Sequence, residues 1–450
     1  MFDTIFAIST PPGIGGIAVI RISGTDAIEV ASCIFSPFDP SHKLDSRSTH
    51  TLTFGQIIVP KELNNSSEES VLDEVVVSLF RAPHSFTGED VVEISCHGSV
   101  YIQQELLRLL SMIDQMQSWT GHRVRLAEPG EFTRRAFANG RMDLSQAEAV
   151  ADLISAQNAA SHRLALNQMK GSFSRKLDEL HDQLLRLSTL LELELDFGEE
   201  DVEFADRTEL RKIATDIDRE VVRLSDTFRT GQAIRNGIPV AIIGAPNVGK
   251  STLLNALLRD DRAIVSDVQG TTRDLIEDTF QIEGHLFRFI DTAGIRDTTD
   301  KVERLGIDRS LKAAEKAQII ILLTEPGVPF PTLDFREDQK VVRRINKTAE
   351  FSALYGVGLP DLEKELVAAS SLPDVSASDL ILTNHRHFEA LQLAHRSLQQ
   401  VIFGLDSHLT PDLIAEDLHS VIDSLNSILG RSINSQDTLN NIFSHFCIGK

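Results

Sequence analysis

Cysteine is scarce: Cys33, Cys96 and Cys447 are the whole complement in 450 residues. Three, widely spaced, exclude a disulfide framework and a zinc site and suit a reducing cytoplasm. Long apolar runs are missing as well; no stretch reaches the roughly 20 residues that a membrane-spanning helix needs. The first residues, MFDTIFAISTPPGIGG, carry Asp3 where a secretory leader is positive, and Pro11, Pro12 and Gly13 break the apolar segment, so no leader is expected. Positive charge is in deficit, with 44 Lys and Arg against 66 Asp and Glu, a net −22. Nucleic-acid affinity rests largely on Lys and Arg neutralising phosphates. A nucleic-acid partner therefore requires a local basic patch or a second protein that supplies the positive surface.

What is present is ordinary for a soluble chain of two to four domains, 42% hydrophobic and 24% charged. Residues 1–122 read as mixed α/β. GIAVIRIS (Gly16–Ser23) and EVVVSLF (Glu74–Phe80) are β-branched and bounded by turn residues, as strands are. VYIQQELLRLLSMI (Val100–Ile113) has helical spacing, and NNSSEES (Asn64–Ser70) reads as a surface loop. Residues 144–228 are expected to be helical almost throughout. Leu177, Leu180, Leu184, Leu187 and Leu191 recur at three and four, which makes one stripe, and a bundle core explains it better than a cofactor role. After residue 380 helices return. Thr410 can cap and Pro411 can take the first helical position, and a last helix is expected near Thr438–Phe446. Between the two helical blocks lies IPVAIIGAPNVGKSTLLNALL, a strand, a glycine loop and a helix. An α/β unit thus interrupts a helical domain whose halves are expected to pack together.

Gly244 to Ser251, GAPNVGKS, fits G-x-x-x-x-G-K-[ST] in the strand-to-helix setting that gives the motif its meaning. Glycines let backbone N–H groups approach phosphate oxygens at a helix N-terminus. Lys250 can reach the β and γ phosphates, and the Ser251 hydroxyl can hold Mg²⁺. GTTRD (Gly270–Asp274) offers Thr271 or Thr272 as a second hydroxyl on the metal. DTAG (Asp291–Gly294) follows the strand LFRFI and puts Asp291 near the metal and the Gly294 N–H near the γ phosphate. The set selects a GTPase of Ras-like type, with two departures. Ile295 and Arg296 stand where a Gln orients the attacking water. In INKTAEFSAL, Asn346 and Lys347 are in place, but Ala349 stands where an Asp accepts hydrogen bonds from guanine, and the base-contacting SAL (Ser352–Leu354) arrives too soon. Either the segment is truly shortened or residues of the natural chain are missing between these motifs; the completeness of the rest favours the second.

With the α/β unit set inside a helical domain, the chain resembles the MnmE (TrmE) family of tRNA modification GTPases. The resemblance rests on TPPGIGGIAVIRISG (Thr10–Gly24), SFTGEDVVEISCHG (Ser85–Gly98), EPGEFTRRAFANGRMDLSQAEAVADLI (Glu128–Ile154), the nucleotide motifs and the closing IFSHFCIGK. It implies a multidomain α/β plus all-α architecture: an N-terminal α/β folate-binding and dimerisation domain (1–122), a discontinuous helical domain (123–215 and 379–450) and an inserted Ras-like P-loop GTPase domain (216–378). It implies a homodimer working with a flavoprotein partner, MnmG, which carries FAD. Together they install an aminomethyl-type group at C5 of the wobble uridine of certain tRNAs, using a tetrahydrofolate one-carbon unit, GTP, Mg²⁺ and K⁺.

Matched motif by motif, the resemblance implies folate contacts from Arg21, Glu93, Arg141 and Lys450; Arg141 replaces the family's usual Lys, keeping the charge but not the shape. GTP contacts are implied for Asn247, Val248, Gly249, Lys250, Ser251, Thr252, Ser266, Thr271, Thr272, Asp291, Thr292, Ala293, Gly294, Asn346 and Lys347. Ser251 and Thr272 would hold Mg²⁺, and Asn247, Ser266, Val268 and Thr271 would hold K⁺. Catalytic roles fall on Lys250, on Glu303 as the residue orienting water and on Cys447. Without the resemblance, Arg21 and Glu93 read as a surface ion pair, Glu303 as a solvated helix residue and His97 as structural. The acidic run Glu192–Asp206 reads as a solvated helix end rather than a metal site. CIGK has the length of a prenylation box, yet its final Lys is atypical and no polybasic stretch precedes it; the resemblance instead puts the Cys447 thiolate near the folate. A ribosome-assembly or regulatory GTPase, acting as a binding switch, is the alternative that GAPNVGKS and DTAG alone would fit equally well.

Overall fold

The computed structural model describes residues 3–61, 70–116, 119–196, 207–259, 279–290, 312–372, 379–432, 436–444, 446 and 449. The chain divides into two compact units, one formed by residues 1–151 with 429–450 and the other by residues 152–428.

The first unit is built on a seven-stranded sheet. Its strands are β1 (Thr4–Ile8), β2 (Ile17–Ser23), β3 (Phe35–Pro37), β4 (Thr51–Val59), β5 (Ser70–Phe80), β6 (Val91–His97) and β7 (Val124–Leu126), ordered β3-β4-β5-β6-β2-β1-β7. Every pairing is antiparallel except β1 with β7. Period-two alternation sorts the side chains. Ala18, Ile20 and Ile22 on β2, with Val92, Ile94 and Cys96 on β6, enter the main core. Helices α1 (Ala27–Ile34) and α2 (Val100–Ser111) close that core through Val30, Ala31, Leu106 and Leu110. Arg21 and Glu93 fall at the alternate positions and lie directly opposite each other in the β2–β6 register. Phe132 of α3 (Glu131–Ala138) packs with Ile5 and Ala7 of β1 in a smaller cluster. The helix Gln436–Ser444 joins this unit, with Phe443 buried against Leu144 and Ala147.

The second unit combines helices with a five-stranded sheet. Helix α4 (Leu144–Ser155) begins in the first unit and ends in the second, where α5 (Ala159–Met169), α6 (Ser172–Asp196), α7 (Arg207–Asp226) and α8 (Phe228–Asn236) follow. All five stripe leucines of α6 are at most 1% exposed. The helix His385–Asp406 packs on α7, where buried Asp218 accepts from His395 Nδ1 at 2.6 Å and Gln399 Nε2 at 2.7 Å. The sheet comprises β8 (Ile238–Ile243), β9 (Thr279–Ile282), β10 (His285–Phe289), β11 (Ile319–Thr324) and β12 (Lys340–Ile345), ordered β12-β11-β8-β10-β9. Only β9 is antiparallel to its neighbour. Strand β11, IIILLT, is buried at all six positions, as a central parallel strand covered on both faces must be. Helix α9 (Lys250–Arg259) follows β8 through the glycine loop.

Element ends differ from the sequence expectation. Strand β5 begins at Ser70, not Glu74, because Ser70, Val71 and Asp73 continue the pairing with β4 across a register shift at Ile57 and Ile58. Helix α2 stops at Ser111 and a 3₁₀ turn takes Ile113–Gln115. The last helix runs Gln436–Ser444 rather than Thr438–Phe446, since the Phe446 N–H turns back to the Phe443 carbonyl. Residues 64–69 of the expected loop and 197–206 of the acidic run lie outside the described residues. Among the described residues no acidic, His or Cys group is arranged to hold a metal, and no helix is long and apolar enough to cross a membrane.

Candidate functional site

The glycine loop between β8 and α9 is shaped by close approach. A Cβ on Gly244 would stand 2.1 Å from the Leu323 carbonyl oxygen, and one on Gly249 would stand 2.4 Å from Asn346 Nδ2. Gly249 also takes φ +96°, and Asn247 takes the left-handed φ of 62°, a region that Gly and Asn tolerate best. Such a bend turns successive N–H groups inward, the arrangement that binds anions. Lys250, at the first turn of α9, donates to the Gly244 carbonyl at 2.8 Å and the Ala245 carbonyl at 2.9 Å. Burial lowers its pKa from the ordinary lysine value. The ammonium is thus parked over the loop, within reach of an entering phosphate. Ser251 and Thr252 occupy the same first turn, half-buried.

The segment after β12 locks this loop. Buried Asn346 donates from Nδ2 to the Val248 carbonyl at 2.8 Å, and its Oδ1 accepts from the Ala353 N–H at 3.0 Å. Lys347 reaches the Asn247 carbonyl at 3.1 Å and Glu325 at 2.6 Å. The short spacing to Ser352–Leu354 does not hold these groups apart. A tight turn, with Thr348 and Phe351 bonded to each other and Ser352 bridged to Val357, delivers Ala353 to Asn346. Ala349 is exposed in that turn. Asn247, Val248, Gly249, Lys250, Ser251, Thr252, Asn346 and Lys347 therefore assemble as one neighbourhood. Ser266, Val268, Thr271, Thr272, Asp291, Thr292, Ala293, Gly294 and Glu303 lie outside the described residues.

A second cluster sits in the first unit. Arg21 pairs with Glu93, its Nη2 at 2.8 Å and its Nε at 2.9 Å from Oε1. The guanidinium lies over the rings of Phe86 and Phe132, 5.5 and 5.7 Å from their centroids, so the ion pair is held between aromatic faces rather than loose on the surface. The tail arrives here too. The Gly449 carbonyl accepts from Ser9 Oγ at 3.0 Å and from Arg21 Nη1 at 3.5 Å. Gly449 has φ +91°, and a Cβ there would stand 2.1 Å from the Ile8 carbonyl oxygen, so only glycine fits. The stem of Arg141 packs by Gly88, in the loop that also carries Phe86. His97 bonds Asp73 at 2.7 Å on the exposed side of β6, a structural contact. Cys447 and Lys450 lie outside the described residues. Phe86, Phe132 and Ser9 carry no sequence signal of their own as site residues; the first two stand inside SFTGED and EPGEFTRR, where their nearness to Arg21 is a tertiary fact.

The loop is a cradle that a single added methyl would fill, which suits phosphate, and a carboxylate beside a guanidinium between two phenyl rings suits a flat, hydrogen-bonding heterocycle.

Comparison with known proteins gives two family matches. Residues 4–141 match the GTP-binding protein TrmE N-terminus and residues 144–447 match the MnmE helical domain. The chain is 49% identical to a tRNA modification GTPase MnmE of Parabacteroides distasonis over 478 aligned positions, covering 100% of both chains. It is 46% identical to the protein of the same name from Bacteroides thetaiotaomicron, covering 100% of this chain and 99% of the relative. The Porphyromonas gingivalis protein of that name is 44% identical, covering 100% and 98%. In the first case 478 aligned positions against 450 residues leave 28 positions with no counterpart in this chain.

Proposed function

The chain belongs to the MnmE family of tRNA modification GTPases, and on that premise we propose that it hydrolyses GTP in the course of modifying the wobble uridine of certain tRNAs. In this reading it acts in the cytoplasm as a homodimer with an MnmG-type flavoprotein. It has four parts: a folate-binding and dimerisation domain (1–122), helical segments (123–215 and 379–450) and an inserted Ras-like GTPase domain (216–378). The observation that carries the reading is that the likeness runs from end to end, over 100% of this chain and 100% of the Parabacteroides distasonis relative. A ribosome-assembly or regulatory switch is not favoured, because the relatives matched over their full length bear the tRNA modification name.

For GTP hydrolysis, backbone N–H groups from Asn247 to Thr252 would receive the phosphates. Lys250 would exchange its two loop carbonyls for phosphate oxygens, so its charge meets the anion without a large rearrangement. Asn346 supports the site by holding Val248 and Ala353 in place. Asp291, Thr292, Ala293 and Gly294 would face the γ phosphate, and Glu303 would orient the water. When bound, Mg²⁺ on Ser251 and Thr272 and K⁺ on Asn247, Ser266, Val268 and Thr271 supply charge neutralisation, and the tetrahydrofolate derivative supplies the one-carbon unit. Glu93 would accept hydrogen bonds from the pterin, Arg21 would fix the Glu93 carboxylate in position, and Arg141 and Lys450 would meet the glutamate tail. In this reading the guanine-reading Asp belongs near Ala349, where either the segment is truly shortened or residues of the natural chain are missing. With a net charge of −22, tRNA would be held largely by the partner's basic surface.

The test separates chemistry from GTP turnover. Cys447→Ser should abolish wobble-uridine modification and leave GTP hydrolysis nearly intact. Lys250→Ala should remove both. Nucleoside analysis of tRNA beside a phosphate-release assay, with the flavoprotein present, reads the two. Normal modification by the serine variant would leave Cys447 as packing.

A further inference from the structure

One cleft in the second unit is used by nothing described so far. It has a volume of about 300 Å³ and lies between α8, the first residues of β8 and β11, and the loop that precedes β12. Gly237, Pro239 and Gln318 in its wall stand at the strand ends opposite to the phosphate loop, which follows the last residue of β8, so the cleft is distinct from the nucleotide site. Among the described residues four cations line it, Arg229, Arg288, Lys316 and Arg336, against one carboxylate, Asp338. In a chain with 66 acidic and 44 basic residues that ratio inverts the background. It is the local basic concentration that the charge balance demands of a nucleic-acid binder.

The cations are oriented in advance. Asp338 accepts from Arg229 Nη2 at 2.5 Å and from Arg336 Nε at 3.1 Å. Arg336 is further fixed by the carbonyls of Glu315 and Ala317. The carboxylate thus sits where two guanidinium forks converge, as an internal stand-in for an anion. The chain passes the cleft at Gly237 with φ +82°, and a Cβ there would meet Arg288 Cβ at 3.2 Å.

We propose that this cleft binds the sugar–phosphate backbone of RNA through one or two phosphates. Arginine forks match phosphate oxygens, and lysine adds a mobile point charge. Arg229 and Arg336 are 64% and 51% exposed and Lys316 is exposed, so the charges face outward to a surface-lying polyanion and do not enclose a small ion. Among the described residues no aromatic side chain lines the cleft, so the lining offers bases no stacking platform and recognition is of backbone, not of sequence. The inference rests on the tRNA reading above and adds to it an RNA contact made by this chain itself.

The experiment measures binding of unmodified tRNA by the full-length protein over a series of salt concentrations, for the wild type, Lys316→Glu and the double variant Arg229→Ala/Lys316→Ala. Each lost phosphate contact should weaken binding on the order of tenfold at low salt and flatten the log–log salt slope by about 1. Melting temperatures of the variants check folding, and Lys316→Glu, at an exposed position, keeps the test valid if the double variant unfolds. Affinity and slope equal to wild type in Lys316→Glu would overturn the proposal. Unchanged tRNA binding with loss of a thermal shift by inorganic triphosphate would overturn it in favour of a small phosphate ligand. A parallel modification assay with the flavoprotein separates the two claims. If wild type modifies tRNA while the variants bind normally, the cleft falls alone; if wild type neither modifies nor binds tRNA, both fall.

Discussion

Asn346 does more for the phosphate loop than its place in a base-reading motif suggests. It is 4% exposed, and its amide spends its donor on Val248 and its acceptor on Ala353. Removing it leaves a buried carbonyl and a buried N–H unpaired, each costing roughly 1–3 kcal/mol. Gly249 approaches the same amide so closely that the two residues must be considered together. We expect Asn346→Ala to lower stability by about 2–6 kcal/mol and to weaken GTP binding. Urea denaturation and a fluorescent GTP analogue measure the two effects. A variant with an unchanged midpoint and unchanged affinity would show that the bridge does not support the loop.

At the scale of an element, the first turn of α3 contains the most consequential ionised group. Gly130 takes φ 65°, and Glu131 follows at 2% exposure. Burial pushes the Glu131 carboxyl up, but Arg125, the Glu128 N–H and Arg135 together bring it down to about 2 from an ordinary 4.5. Arg125 donates twice, at 2.7 and 2.9 Å, and Arg135 once, at 3.1 Å. A depressed carboxyl contributes stability above its unfolded pKa and loses it as pH falls through the folded one. The first unit should therefore lose about 3 kcal/mol between pH ~4.5 and ~2. The one tryptophan, Trp119, belongs to this unit and packs against its core, so its fluorescence in urea reports the loss. Glu131→Gln should be less stable at neutral pH and should flatten the acid limb; an acid limb as steep as that of wild type would place the dependence elsewhere.

For the whole molecule, charge and its distribution matter more than any single pair. Ile295 stands where a Gln after Gly294 usually orients the attacking water, so the water must be positioned from elsewhere, and a cation beside the phosphates can stabilise the charge of the transition state. Under the proposed function Asn247, bent to a left-handed φ in the loop, would hold a monovalent cation in that role. GTP hydrolysis by the full-length protein is expected to run faster in K⁺ than in Na⁺, and Asn247→Lys is expected to reduce the difference. Equal rates in the two salts for the unsubstituted protein would count against a K⁺ site.

The sequence by itself determined whatever depends on neighbours along the chain. The Gly, Lys and Ser spacing of residues 244–251 makes the phosphate loop, because a bend and a helix start are set by backbone preferences within eight residues. Three-and-four spacing makes the α6 stripe, and alternation puts Arg21 on one face of β2 and Glu93 on one face of β6. Alternation does not say which strands adjoin or in what register. Tertiary structure alone decided that Arg21 faces Glu93 across 72 positions and meets the Gly449 carbonyl across 428. It alone decided that Asn346 bridges Val248 and Ala353, because a four-residue turn could reverse the chain where spacing suggested it would fall short. The basic cleft has no sequence signature at all. Its four cations come from α8, β10 and the segments flanking β11, and charges that far apart along a chain acquire a common field only when packing brings them within a few ångströms of each other.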